Sequence, residues 1–187
     1  MAIGIKLTKV IKEHDLGASK FFGTPTFPIG LEEKLPSDVV FVGQIRLQDI
    51  IPFDEENNLP HEGYLYFFIE TEDESPYSEK RGLVIHSIEV VKIAITDFNS
   101  VSPIPNGLND DYIIEFFKAD DSYDGIKLLG YPSDWNYQND SPALLLQFDP
   151  LDTEELDFFS SMDGYIYFFF GKDKKNFNEI TLHFEYS

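Results

Sequence analysis

The chain has 187 residues, enough for a sizeable core, and no cysteine, which excludes disulfides, thiolate metal sites and cysteine nucleophiles. Thirty-four Asp and Glu face fourteen Lys and Arg, a net charge of −20. That balance argues against binding to the nucleic-acid backbone or to an anionic membrane surface; it serves solubility, and its functional reading is attraction to a basic partner.

In chain order, the N-terminus Met1-Ala2-Ile3-Gly4-Ile5-Lys6 lacks the apolar run and cleavage site of a signal peptide, so the expected localisation is cytoplasmic. Ile3, Ile5 and Leu7 alternate, which predicts a strand over 3–11. A proline-rich loop through Pro25, Pro28 and Pro36 is expected to cover the surface, because proline removes a ladder donor. Strands are predicted over 39–47 and 64–70, separated by a helical turn at 47–51 and an acidic loop at 54–62. An acidic turn-rich segment, 71–80, leads to a strand at 83–86. The short apolar run at 90–98 fits strand or helix alike, and 100–109 reads as loop. Asp110 or Asp111 stands where it can cap a short helix through Tyr112 to Lys118. A second short helix is expected at 152–156, and a half-exposed strand closes the chain from Ile180 to Tyr186.

One phrase occurs twice. Gly63-Tyr64-Leu65-Tyr66-Phe67-Phe68 returns as Gly164-Tyr165-Ile166-Tyr167-Phe168-Phe169. Alternation puts Tyr64, Tyr66 and Phe68 on one face and Leu65, Phe67 and Ile69 on the other, and neither face is polar. Upstream, an apolar strand holds Gln44 before the first copy and Gln147 before the second; earlier still stand Gly23-Thr24-Pro25 and Gly130-Tyr131-Pro132. The order predicts one compact, sheet-rich α+β domain over 1–187, with an internal duplication of halves at about 19–70 and 126–171.

Residues that carry chemistry are sparse. His14, His61, His86 and His183 lie in no metal-binding spacing, and no serine-nucleophile or phosphate-loop motif occurs. Asp120, Ser122, Asp124 and Gly125 match the opening of a calcium loop, but Tyr131 stands where its closing Glu belongs, so the stretch reads as an Asp-Gly turn. Acidic runs such as Asp54-Glu55-Glu56 read as solvated loops. No catalytic residue, metal or cofactor is assigned. The ligand-binding candidates are Gln44 and Gln147, matched polar residues in buried-looking strands, with Trp135 and Tyr137, aromatics in a polar loop. For the glutamines the structural reading is hydrogen bonding to turn backbone; for the aromatics it is packing of their own loop.

Ser19-Lys20-Phe21-Phe22-Gly23-Thr24-Pro25, Gly43-Gln44-Ile45 and Leu59-Pro60-His61-Glu62-Gly63-Tyr64, followed by Leu128-Leu129-Gly130-Tyr131-Pro132, Leu144-Leu145-Leu146-Gln147-Phe148 and Asp163-Gly164-Tyr165, resemble the YwqG-like (DUF1963) family in order and content. Where that family carries two glycines, this chain has Phe22-Gly23. The resemblance implies a bacterial cytoplasmic protein of sheet-rich α+β fold, with no assigned enzyme activity and a suggested immunity role against toxins. The resulting expectation is a non-enzymatic protein that binds a basic protein partner, such as a toxin, through acidic loops at 54–56, 71–74 and 151–157. The alternative is a ligand-binding module or enzyme with a pocket between the two halves.

Overall fold

The computed structural model describes residues 1–10, 14–36, 39–70, 82–89, 93–94 (backbone only), 110–133, 142–148 and 165–184. The strands are β1 (Ala2–Lys9), β2 (Lys20–Phe21), β3 (Thr26–Phe27), β4 (Val39–Arg46), β5 (Tyr64–Glu70), β6 (Gly82–Ser87), β7 (Ile93–Ala94), β8 (Tyr112–Ala119), β9 (Lys127–Leu128), β10 (Leu144–Phe148), β11 (Ile166–Phe169) and β12 (Thr181–Phe184). Helical structure among the described residues is one four-residue helix, α1 (Leu47–Ile50), and 3₁₀ turns at Glu32–Lys34 and Phe177–Glu179. The fold is therefore mostly β, which corrects the α+β expectation. No helix among the described residues is long and apolar enough to cross a membrane.

The stretch after Asp111, where the sequence allows a short helix without fixing the secondary structure, is the strand β8. Tyr112, Ile114 and Phe116 alternate inward, and the whole strand pairs antiparallel with β1, from Ala2 opposite Ala119 to Lys9 opposite Tyr112. Its β-branched and aromatic residues, Tyr112, Ile113, Ile114, Phe116 and Phe117, suit a pleated surface better than a helix once a partner strand is present. Asp111 caps nothing and ties its strand to another part of the chain.

Ten strands form one antiparallel sheet in the order β12-β11-β10-β9-β1-β8-β2-β4-β5-β6. The order is balanced about its middle, the β1–β8 ladder, where Lys6 stands opposite Glu115. β1 takes β9 as its other neighbour and β8 takes β2, so five strands lie on either side of the middle of that ladder. The junctions match: the Ile5 N–H donates to the Ile126 carbonyl (2.8 Å), and the Ile114 N–H to the Ser19 carbonyl (3.1 Å).

The sheet curls until its ends approach. A Cβ added at Gly82 in β6 would lie 3.0 Å from Leu182 of β12, and the Phe177 ring sits 5.7 Å from His86. The interior holds Ile3, Ile5, Leu65, Phe67, Ile166 and Phe168, with Phe67 and Phe168 edge to face at 5.4 Å. Each buried ring contributes about 1.5–3 kcal/mol. The outer face of β4 and β5 is also covered: Phe27, Leu31 and Leu35 of the proline-rich loop lie over Phe41, Tyr66 and Phe68. The two aromatic strands thus alternate as the sequence predicts, with Leu65, Phe67, Ile69 and Ile166, Phe168, Phe170 inward. The segments at 71–80, 100–109 and 152–156 lie outside the described residues, as does Gly164.

Candidate functional site: two buried glutamine latches

Gln44 and Gln147 are both fully buried. In the sheet register Gln44 stands between Lys20 and Tyr66, and Gln147 between Lys127 and Tyr167. Gln44 Oε1 accepts the Thr26 N–H (2.9 Å), and its amide donates to the Ala18 carbonyl (2.9 Å) and Thr26 Oγ1 (2.7 Å). Gln147 Oε1 accepts the Ser133 N–H (2.8 Å), and its amide donates to the Asp124 and Gly125 carbonyls (2.8 and 3.1 Å) and Ser133 Oγ (3.0 Å). Tyr66 donates to the Thr26 carbonyl at 3.2 Å, and Tyr167 donates to the Ser133 carbonyl. Both amide hydrogens of each glutamine therefore lie on protein oxygens, as a side chain fastening a loop to a sheet requires.

The loop shape matches too. Phe22 and Gly23 have φ of 55° and 65°, and Leu129 and Gly130 have 61° and 82°. Two successive left-handed residues reverse the chain so that the hydroxyl residue drops onto the glutamine. Such conformations favour glycine, yet Phe22 and Leu129 hold the first position of each pair. The Phe22 N–H donates to the Val42 carbonyl (2.9 Å) and the Leu129 N–H to the Leu145 carbonyl (3.1 Å). Val42 and Leu145 are the residues at which the β4–β5 and β10–β11 registers shift. Each bulge turns a carbonyl away from the sheet ladder and toward the loop.

Two members of each latch went unread in the sequence: the buried lysines Lys20 and Lys127, and the hydroxyls of Thr26 and Ser133. The signal was present as Lys-apolar-apolar-Gly-x-Pro-hydroxyl at 20–26 and at 127–133. Lysine is almost never fully buried unless paired, so neither was expected inside. Lys20 Nζ donates to Asp111 Oδ1 at 2.6 Å and to the Thr24 carbonyl. Asp111 also accepts the Thr24 N–H at 3.0 Å and meets His14 Nε2 at 2.6 Å. Burial pushes the Lys20 ammonium down from its ordinary value, and Asp111 opposes the shift. Lys127 donates to the Tyr123 and Asp121 carbonyls and to Ser133 Oγ, and among the described residues no carboxylate lies within ion-pair distance. Its ammonium is pushed down to about 8 by burial, against the attraction of Asp124 and Asp121.

Asp54 corrects the expectation that the first acidic run is wholly solvated. It is 3% exposed and organises its own loop, accepting the N–H groups of Asn58 (3.0 Å) and Leu59 (2.8 Å) and meeting His61 Nε2 at 3.2 Å. Burial alone would raise its pKa, but these donors outweigh it and hold the carboxyl below its ordinary range. Glu55 lies outside and pairs with Lys118. Trp135 and Tyr137 lie outside the described residues, as do the acidic runs at 71–74 and 151–157. Among the described residues no group of three metal-ligating side chains comes together. His86 meets the Glu62 carbonyl at 2.9 Å, and the His183 ring stacks on Tyr167.

Among the described residues, two of the surface grooves lie near these elements. One of about 530 Å³ runs beside β6, lined by Leu31, Pro36, Leu83, Ile85 and Ile88 among others. The other, about 350 Å³, lies where β1 and β8 meet, lined by Ile5, Lys6, Leu7, Phe117, Tyr123 and Ile126.

Fold and latches together define a mostly β protein whose balanced sheet carries two loops fastened by buried Gln, Lys and Tyr side chains. No protein-family model matches the chain, and no curated protein is similar to it.

Proposed function

We propose that this is a non-enzymatic interaction protein that binds a basic protein partner through its anionic exterior, with an immunity protein covering a bacterial toxin as the fitting biological form. The observation that carries the reading is where the cations sit. Of the fourteen Lys and Arg, Lys20 and Lys127 are inside the fold, while Lys9, Arg46 and Lys118 pair with Asp110, Asp49 and Glu55. None of these five is an unpaired surface cation, and the buried Lys127 is offset by the buried Asp54, so the net charge offered to a partner stays close to the formal −20. Such a field raises encounter rates with a basic protein and repels acidic ones.

The family reading and the duplication belong to the same proposal. The motifs that resemble the YwqG-like family supply the glutamines, bulges and left-handed turns of both latches, which favours kinship with that family and its cytoplasmic setting. The two halves are read as copies of one unit. Matched registers, bulges and latch bonds support this, since unrelated segments have no reason to agree in all three.

A second reading rests on the 350 Å³ groove between β1 and β8, which is within the size range of small-molecule sites. Affinity purification from the native host, followed by thermal melting with a metabolite set, separates the two. A recovered partner of high isoelectric point supports the first reading. No protein partner, with a small molecule raising the melting temperature, replaces it with the second.

A further inference from the structure

The two buried lysines occupy the same place in matching latches but differ in their counter-charge. Lys20 pairs in register with Ile113, and Phe21 with Tyr112; Lys127 pairs with Gly4, and Leu128 with Ile3. Asp111, which precedes Tyr112, therefore corresponds to Ala2, which precedes Ile3. A Cβ at Gly23 would meet the Asp111 carboxylate at 1.9 Å, and one at Gly130 would meet the Ala2 methyl at 2.9 Å. In the second latch a backbone carbonyl takes the carboxylate's part. The Tyr131 N–H donates to the Asp121 carbonyl (2.9 Å), as the Thr24 N–H donates to Asp111, and Lys127 Nζ reaches the same Asp121 oxygen at 3.3 Å. Hydrogen bonding is preserved while the opposite charge is lost.

We propose that Lys127 makes the second latch proton-responsive: losing its proton tightens the hold of the 120–133 loop on the sheet, while Lys20, neutralised by Asp111, leaves the first latch less responsive. A neutral amine still fits the Lys127 cage. Two N–H bonds remain for the Asp121 and Tyr123 carbonyls, and the Ser133 hydroxyl can donate to the nitrogen lone pair. Among the described residues the charged groups facing the cage are Asp121 and Asp124 of its own loop and, from the residue before β1, the Met1 ammonium, which pairs with Asp121 at 3.0 Å. β10 and β11 contribute the uncharged Gln147 and the Tyr167 hydroxyl.

The sign follows from proton counting. The Lys127 ammonium is pushed down to about 8 by burial, against 10.5 when exposed, so between those values the opened loop binds more protons than the closed one. The closed state then gains up to about tenfold per pH unit, and below about pH 8 the burial penalty is present in full. The Met1 ammonium is shifted up by its Asp121 hydrogen bond, so it acts in the opposite direction. The decisive quantity is therefore a difference between proteins.

The test is hydrogen exchange of the Tyr131 and Ser133 amides from about pH 7 to about pH 10, corrected for intrinsic rates, with Thr24 and Thr26 as internal controls. Protection at Tyr131 and Ser133 should climb by about tenfold or more relative to the controls. The climb should vanish in Lys127→Met, and it should flatten in Ala2→Asp, which offers Lys127 a carboxylate. Equal pH dependence in both latches of the unaltered protein overturns the proposal without any variant, and so does a climb that survives Lys127→Met.

Discussion

Replacing Gln44 by leucine tests the latch directly. Leucine nearly fills the amide's volume, so little cavity forms, and the loss is one of hydrogen bonds. The Thr26 N–H, 2.9 Å from Gln44 Oε1, loses this partner in the interior, and the Ala18 carbonyl, 2.9 Å from Nε2, loses it at a half-buried position. An orphaned buried backbone group costs about 1–3 kcal/mol, so the Thr26 N–H sets a cost of about 1–3 kcal/mol to which the half-buried carbonyl adds less. That is a large part of the ~5–15 kcal/mol that holds a typical domain together. Urea denaturation should show a midpoint shift of this size with an unchanged slope. Gln147→Leu should cost a similar amount, since its Ser133 and Gly125 partners match. Combining Gln44→Leu with Thr26→Val should cost less than the sum, with a coupling above about 0.5 kcal/mol. A cost under about 0.5 kcal/mol for either glutamine would refute the claim that these side chains fasten the loops.

Other consequences can be checked alongside. Asp54→Ala should destabilise by about 1–3 kcal/mol, because the Asn58 and Leu59 N–H groups lose their acceptor. The Asp54 carboxyl is held below its ordinary value, so its contribution is present above about pH 4 and disappears as pH falls through the folded value; acid titration of stability should be flatter in the variant. Gly23→Ala should cost more than about 1 kcal/mol, since φ is 65° and the methyl group would strike the Asp111 carboxylate. Melting curves with and without a chelator should coincide, because the Asp120–Gly125 turn lacks the closing Glu of a calcium loop.

The sequence made the strands of the sheet legible where pattern and residue type agreed. Tyr64 to Phe68 could only be a strand covered on both faces, and the glutamines announced themselves as polar residues in apolar runs. β8 was not legible in the same way. Two aspartates before an apolar stretch satisfy a helix signature, and what decided the matter was the distant partner β1, which no local window contains. The mostly β class follows from that strand together with the shortness of α1. The buried lysines stayed hidden because their burial depends on Asp111 and on turn carbonyls, which only the closed sheet brings within reach. Asp54 looked like its acidic neighbours, and only the return of the chain at Asn58 and Leu59 sets it apart.

The central claim is that the anionic exterior recruits a basic protein. Stopped-flow association with the partner purified from the native host, from about 20 mM to about 500 mM salt, tests it most directly as the Debye length shrinks. The account predicts a basic partner and an association rate that falls at least tenfold across the range, with dissociation much less affected. An association rate indifferent to salt would contradict it.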